Sequence, residues 1–95
     1  MKTELVFHQK VTGEKGDTVE IKIWKLSAST PDKPHGFRYS LAYIFNGRRV
    51  IGYDNAERKG DHRHYQNKEE PYQFETIDKL FRDFYRDIKR FNDES

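Results

Sequence analysis

The chain has 95 residues, 36% of them charged and only 34% hydrophobic, so one domain over residues 1–95 with a small core is expected. Seven Phe, six Tyr and one Trp let an aliphatic-poor chain bury enough area to fold, while a net charge of +2 does not by itself announce nucleic-acid binding. The absence of Cys excludes disulfide frameworks, thiolate catalysis and Cys-ligated zinc. No apolar run approaches the roughly 18 residues of a membrane span, and Met1-Lys2-Thr3-Glu4 has no signal-peptide core, so a cytoplasmic protein without membrane association is expected.

Leu5-Val6-Phe7, between polar flanks, predicts a first strand over Thr3 to Val11, and Thr12 to Asp17 reads as its hairpin loop. Val19, Ile21 and Ile23 alternate with Glu20 and Lys22, the period of a half-buried strand, until Trp24 breaks the pattern. Ser27 to Gly36 is a loop holding two of the three prolines. Phe37, Tyr39, Leu41, Tyr43 and Phe45 then alternate over nine residues, and Asn46-Gly47 leads directly into a second apolar run, Arg48 to Asp54. An Asn-Gly pair between two such runs predicts a type I′ hairpin, whose central residues both need φ > 0.

Asn55 to Pro71 is polar and charged and predicts a long loop, functional or disordered, part of it available as an edge strand. Ile77, Leu80, Phe81, Phe84, Ile88 and Phe91 fall on one face of a helix capped by Thr76; Asp78–Arg82, Asp83–Arg86 and Asp87–Arg90 are expected on its other side. The expected fold is therefore α+β: a small antiparallel meander of about four strands, one face covered by the C-terminal amphipathic helix. The aromatic ladder of Phe37 to Phe45 belongs under that helix rather than on a base-stacking platform. Trp24 and Tyr53 are the rings expected to stay exposed.

The chemistry-bearing types concentrate in Tyr53 to His64, twelve residues holding two His, two Arg, one Lys, two Asp, one Asn and one Tyr. Histidine suits acid–base work near neutrality, and cations suit the charge that develops on a phosphodiester. His62 and His64 are i and i+2, so on a strand they share a face with Cα atoms about 6.5–7 Å apart. That spacing fits an acid–base pair on a phosphate, two ligands of one metal, or solvated residues on an edge strand. The acid–base reading assigns His62 and His64 as acid and base. Arg58, Lys59, Arg63 and Arg49 would hold phosphate or RNA, either Asp54, counted with the catalytic set, or Asp61 would orient a His ring, with Asn55 as a further orienting residue, and Tyr53 would act by stacking or proton relay; no metal or other cofactor is required. The rival classes are a metal-dependent nuclease and a non-catalytic module binding RNA or protein. His8 and His35 stand alone and read as structural or solvated. Residues 48–64 carry a local charge of +2 and residues 65–95 one of −2, which puts an anion site on the loop side.

Ile23-Trp24, Tyr39-Ser40-Leu41-Ala42-Tyr43, Arg49-Val50-Ile51-Gly52-Tyr53-Asp54-Asn55, Lys59-Gly60-Asp61-His62-Arg63-His64 and Glu70-Pro71-Tyr72 with Phe74 resemble the TumE family of toxin–antitoxin toxins. The resemblance runs from about Val19 to Phe91. It implies a small intracellular prokaryotic protein encoded beside a helix-turn-helix antitoxin that neutralises it by binding. RNA as target and a metal-independent endoribonuclease activity come from the loop's own residues, and a homo-oligomer is compatible with the pattern.

Overall fold

The computed structural model describes residues 3–56 and 60–94. Its elements are β1 (Thr3–Thr12), β2 (Thr18–Leu26), β3 (Phe37–Phe45), β4 (Arg48–Asp54), β5 (His62–Tyr65), β6 (Lys68–Pro71) and α1 (Ile77–Glu94). The strands form one antiparallel sheet in the order β1-β2-β3-β4-β5-β6, each paired with its sequence neighbour. Asn46 (φ 54°) and Gly47 (φ 72°) both take the left-handed conformation, so the type I′ turn forms as the dipeptide predicts.

The α+β class and the helix-on-sheet arrangement agree with expectation; the strand count does not. The sheet has six strands among the described residues rather than about four, because His62 to Pro71 folds into a short hairpin inside the stretch read as loop. Neither of its strands alternates apolar with polar. Arg63 and Glu70 face each other toward the helix, His64 and Glu69 toward the opposite face, and the turn is made by Gln66 at φ 57° without any glycine. The pairing is held by the ladder to β4 and by ion pairs rather than by burial of aliphatics.

The period-two pattern puts Ile21, Ile23, Tyr39, Leu41, Tyr43, Ile51 and Tyr53 on one face, all buried, where Leu80 and Phe84 of α1 meet them. Phe91 closes one end against Tyr43 and Phe45, and Phe81 reaches Phe7 of the edge strand at 5.7 Å. Thr76 caps the helix, its Oγ accepting the Lys79 N–H at 3.0 Å. The aromatic ladder is core, as read. Tyr53 departs from expectation: it is fully buried, because its register opposite Leu41 turns it toward the helix. Asp83 and Asp87 also depart from expectation, being buried on the flank of the apolar stripe. There Asp83 accepts the Tyr72 hydroxyl at 2.6 Å, and Asp87 accepts the Tyr53 hydroxyl at 2.5 Å and Arg63 Nε at 3.0 Å.

The sheet's other face carries no second layer among the described residues. Cross-strand partners share a face, so the register Lys22↔Ser40↔Asp54↔His62 puts these four in one row across β2 to β5 on the open side. The neighbouring row is Glu20↔Ala42↔Gly52↔His64. Among the described residues, no helix is long and apolar enough to cross a membrane.

Candidate active site

The open face gathers four of the residues singled out in the sequence: Arg49, Asp54, His62 and His64. Asp54 and His62 are direct cross-strand partners, and His62 Nε2 lies 2.9 Å from Asp54 Oδ1. Its Nδ1 lies 3.2 Å from the Gly60 carbonyl, so an oxygen atom stands against each ring nitrogen. His62 is buried and its orientation is thereby fixed. His64 packs edge-on against it, ring centroids 5.2 Å apart at 77°, with its Nδ1 3.8 Å from Glu69 Oε2.

Arg49 reaches the pair because Gly52, beneath it, has no side chain. A Cβ on Gly52 would sit 3.1 Å from Arg49 Cδ and 3.2 Å from Nε; its absence lets the arginine lie flat along the sheet. Arg49 Nη1 comes to 3.6 Å from Asp54 Oδ2 while the side chain stays 45% exposed. Partial burial, and then the Arg49 charge, hold the His64 imidazole below its ordinary pKa, so it is neutral at neutral pH and available as a base.

The other residues of the expected set lie elsewhere. Tyr53 and Arg63 point to the opposite face, beneath the helix. Burial, and then the hydrogen bond to Asp87, push the Tyr53 phenol well above its usual range, which suits a structural donor rather than a proton relay. Arg63 is committed to Asp87, to the Tyr53 hydroxyl and to Glu70. Asp61 orients a histidine, but it is His35, whose Nε2 lies 2.9 Å from Asp61 Oδ2 while its Nδ1 accepts the Phe37 N–H. Asn55 is fully buried and stitches the loop to β3: its Oδ1 accepts the Tyr39 N–H and its Nδ2 donates to the Phe37 carbonyl, each at 2.9 Å. Arg58 and Lys59 lie outside the described residues.

Two features escaped the sequence reading. The His35–Asp61 anchor joins residues 26 apart, with no local pattern to announce it. The network of Tyr53, Arg63, Tyr72, Asp83 and Asp87 had a signal, since Asp87 falls two helical turns after Leu80 and therefore on the side of the apolar stripe.

One ligand atom each from Asp54, His62 and His64 lies within 4.8 Å of the others, so this trio could also hold a divalent cation. The Arg49 guanidinium beside Asp54 works against that, because it already neutralises the carboxylate that would anchor the ion.

A cluster of Asp, two His and Arg on an open sheet face recurs in many chemistries, and comparison with known families decides which proteins this one stands among. The family model described as Toxin TumE matches residues 2–92. The chain belongs to the TumE toxin family. The matched range takes in the Arg49 to His64 segment and all but the last two residues of the helix. Membership points to an antitoxin partner. Comparison with curated proteins and with solved structures gives no match.

Proposed function

We propose that this TumE-family toxin is a metal-independent endoribonuclease acting through His62 and His64, neutralised by a helix-turn-helix antitoxin. The observation that carries the reading is the asymmetric environment of the two rings. His64 is held below its ordinary pKa, whereas His62 has an oxygen atom against each ring nitrogen. An imidazole held neutral beside a second one locked in orientation by a carboxylate and a carbonyl places a base next to a candidate acid.

The chemistry is transfer to the substrate's own 2′-hydroxyl. His64 takes the 2′-OH proton, the 2′-oxygen forms its bond to phosphorus, and the bond from phosphorus to the 5′-oxygen breaks as His62 protonates the leaving oxygen. The products are a 2′,3′-cyclic phosphate and a free 5′-hydroxyl. Arg49, 45% exposed and beside both the carboxylate and His64, meets the charge on the non-bridging oxygens. Asp54 fixes the orientation of the His62 ring, the positioning role a carboxylate plays behind a catalytic histidine.

Cleavage of an RNA should therefore require the 2′-hydroxyl at the scissile position. A substrate with a single ribose there, flanked by deoxynucleotides, should be cut; its all-deoxy counterpart should not, and cutting of both would refute internal attack. The Asp54–His62–His64 spacing supports a second reading, a metal-dependent nuclease, and activity abolished by EDTA and restored by added divalent cation would select it.

A further inference from the structure

The reacting groups occupy one end of the open face; the other end holds the chain's single tryptophan. Trp24 and Arg38 are cross-strand partners two residues beyond Lys22 and Ser40, so they point to the same side as Asp54 and His62. The Arg38 guanidinium lies 4.8 Å over the half-buried Trp24 ring and is itself exposed. Beside it opens a hollow of about 730 Å³ whose rim includes Leu26, Thr30, Asp32, Lys33, Arg38 and Ala56; Lys33 is paired there with Asp32 at 2.6 Å, which leaves Arg38 as the rim's cation without an ion pair among the described residues. Ala56 is two residues after Asp54, so the hollow adjoins the row that carries His62.

We infer that the open face is a track for single-stranded RNA, with the Trp24–Arg38 pair and its hollow as a subsite that stacks one nucleobase. This inference rests on the ribonuclease reading for the identity of the ligand. Arginine planes and aromatic rings are the groups on which proteins stack unpaired bases. A guanidinium already resting over an indole is held in place, so a base laid on it orders little that is not ordered already. Arg38 is three strands from His62 counted inclusively and two residues along β3, on the order of 12 Å by strand spacing and rise. A short single strand spans that distance, crossing the sheet past Ser40, a small residue, and then Asp54, whose charge Arg49 meets at 3.6 Å. Lys22 flanks the same path and Arg49 stands at its far end. The hollow is of a size that takes a small ligand.

The single tryptophan supplies the test. A short single-stranded RNA carrying 2′-methoxy groups cannot be cleaved by internal attack, so it reports binding alone. Titrated into the wild-type protein, it should quench or shift the Trp24 emission, and Arg38→Ala should weaken that binding roughly ten- to a hundredfold. In cleavage assays Arg38→Ala and Trp24→Leu should raise KM with little change in kcat, the mark of a subsite remote from the reacting atoms. Arg38 is exposed, so its variant keeps the fold even if the Trp24 variant does not.

No change in emission together with an unaltered KM for Arg38→Ala would overturn the subsite while leaving the nuclease reading intact. Quenching without any RNA cleavage would support the subsite and refute the nuclease. Equal quenching by inorganic polyphosphate, which has no bases, would reduce the feature to a charged patch and overturn base stacking.

Discussion

Asp87 is the helix residue whose loss should cost most. Its carboxylate is 1% exposed and is the common acceptor for the Tyr53 hydroxyl at 2.5 Å and Arg63 at 3.0 Å. Asp87→Ala leaves the phenol without its acceptor and a mostly buried guanidinium without its main counter-charge. Breaking a buried pair from one side costs about 3–5 kcal/mol, out of a total on the order of 5–14 kcal/mol for a chain of this length. With a urea slope of about 1–3 kcal/mol/M, the unfolding midpoint should fall by about 2 M. The triple replacement Tyr53→Phe/Arg63→Met/Asp87→Leu removes all three polar groups together and should return to within about 1 kcal/mol of wild type. Because Tyr53 and Arg63 face away from His62 and His64, the triple variant should also keep its RNA cleavage. An Asp87→Ala midpoint near wild type, or a triple variant as unstable as the single one, would refute this account of the interface. Loss of cleavage in a stable triple variant would return Arg63 to the candidate phosphate binders.

Three further outcomes follow from the site. Gly52→Ala sets a methyl group 3.1–3.4 Å from Arg49 and pushes the guanidinium off the sheet; since Arg49 swings into solvent, stability should change by no more than about 0.5 kcal/mol. Cleavage should fall toward that of Arg49→Ala, whose kcat loss is expected at about 10²–10³-fold, and a fully active Gly52→Ala would contradict the placement of Arg49. His64 has its folded-state pKa lowered, so the unfolded chain takes up its proton first as pH falls. Its contribution to stability is full above about 6.5, the ordinary value. It declines below that and levels off once pH passes the folded pKa; thermal melts across this window should show the slope in wild type and not in His64→Asn. Asn55→Ala leaves the Tyr39 N–H and the Phe37 carbonyl without their buried partner and should cost about 2–4 kcal/mol by urea melt. Asn55→Asp should recover little of this, because it cannot donate to the carbonyl.

The parts of the fold built on hydrophobic period were legible in the sequence. The Phe37 to Phe45 ladder, the Asn46-Gly47 turn and the Ile77 to Phe91 stripe each follow from one local rule, and all three stand in the structure. The β5–β6 hairpin was not legible, because its strands are fixed by pairing to β4 and by charge rather than by apolar alternation. For the site, the i,i+2 spacing put His62 and His64 on one face, but it left Asp54 and Asp61 as equal candidates to orient a ring, and only the fold separates them, setting Asp54 against His62 and Asp61 against His35. What could not be read was which face each neighbour takes. Adjacent strand residues point oppositely, so Tyr53 and Asp54, one position apart, end on opposite sides of the sheet, as do Arg63 and its two flanking histidines. Without the β4–β5 register, that parity has no reference.

The central claim is that this open face cleaves RNA without a metal, and the direct measurement is incubation of the purified protein with RNA, with and without EDTA. The His62→Ala/His64→Ala variant, checked for folding by urea melt, runs beside it. The account predicts fragments ending in 2′,3′-cyclic phosphate, formed equally in EDTA and absent with the folded double variant. RNA left intact by the wild type, or cleaved as well by the variant as by the wild type, would contradict it.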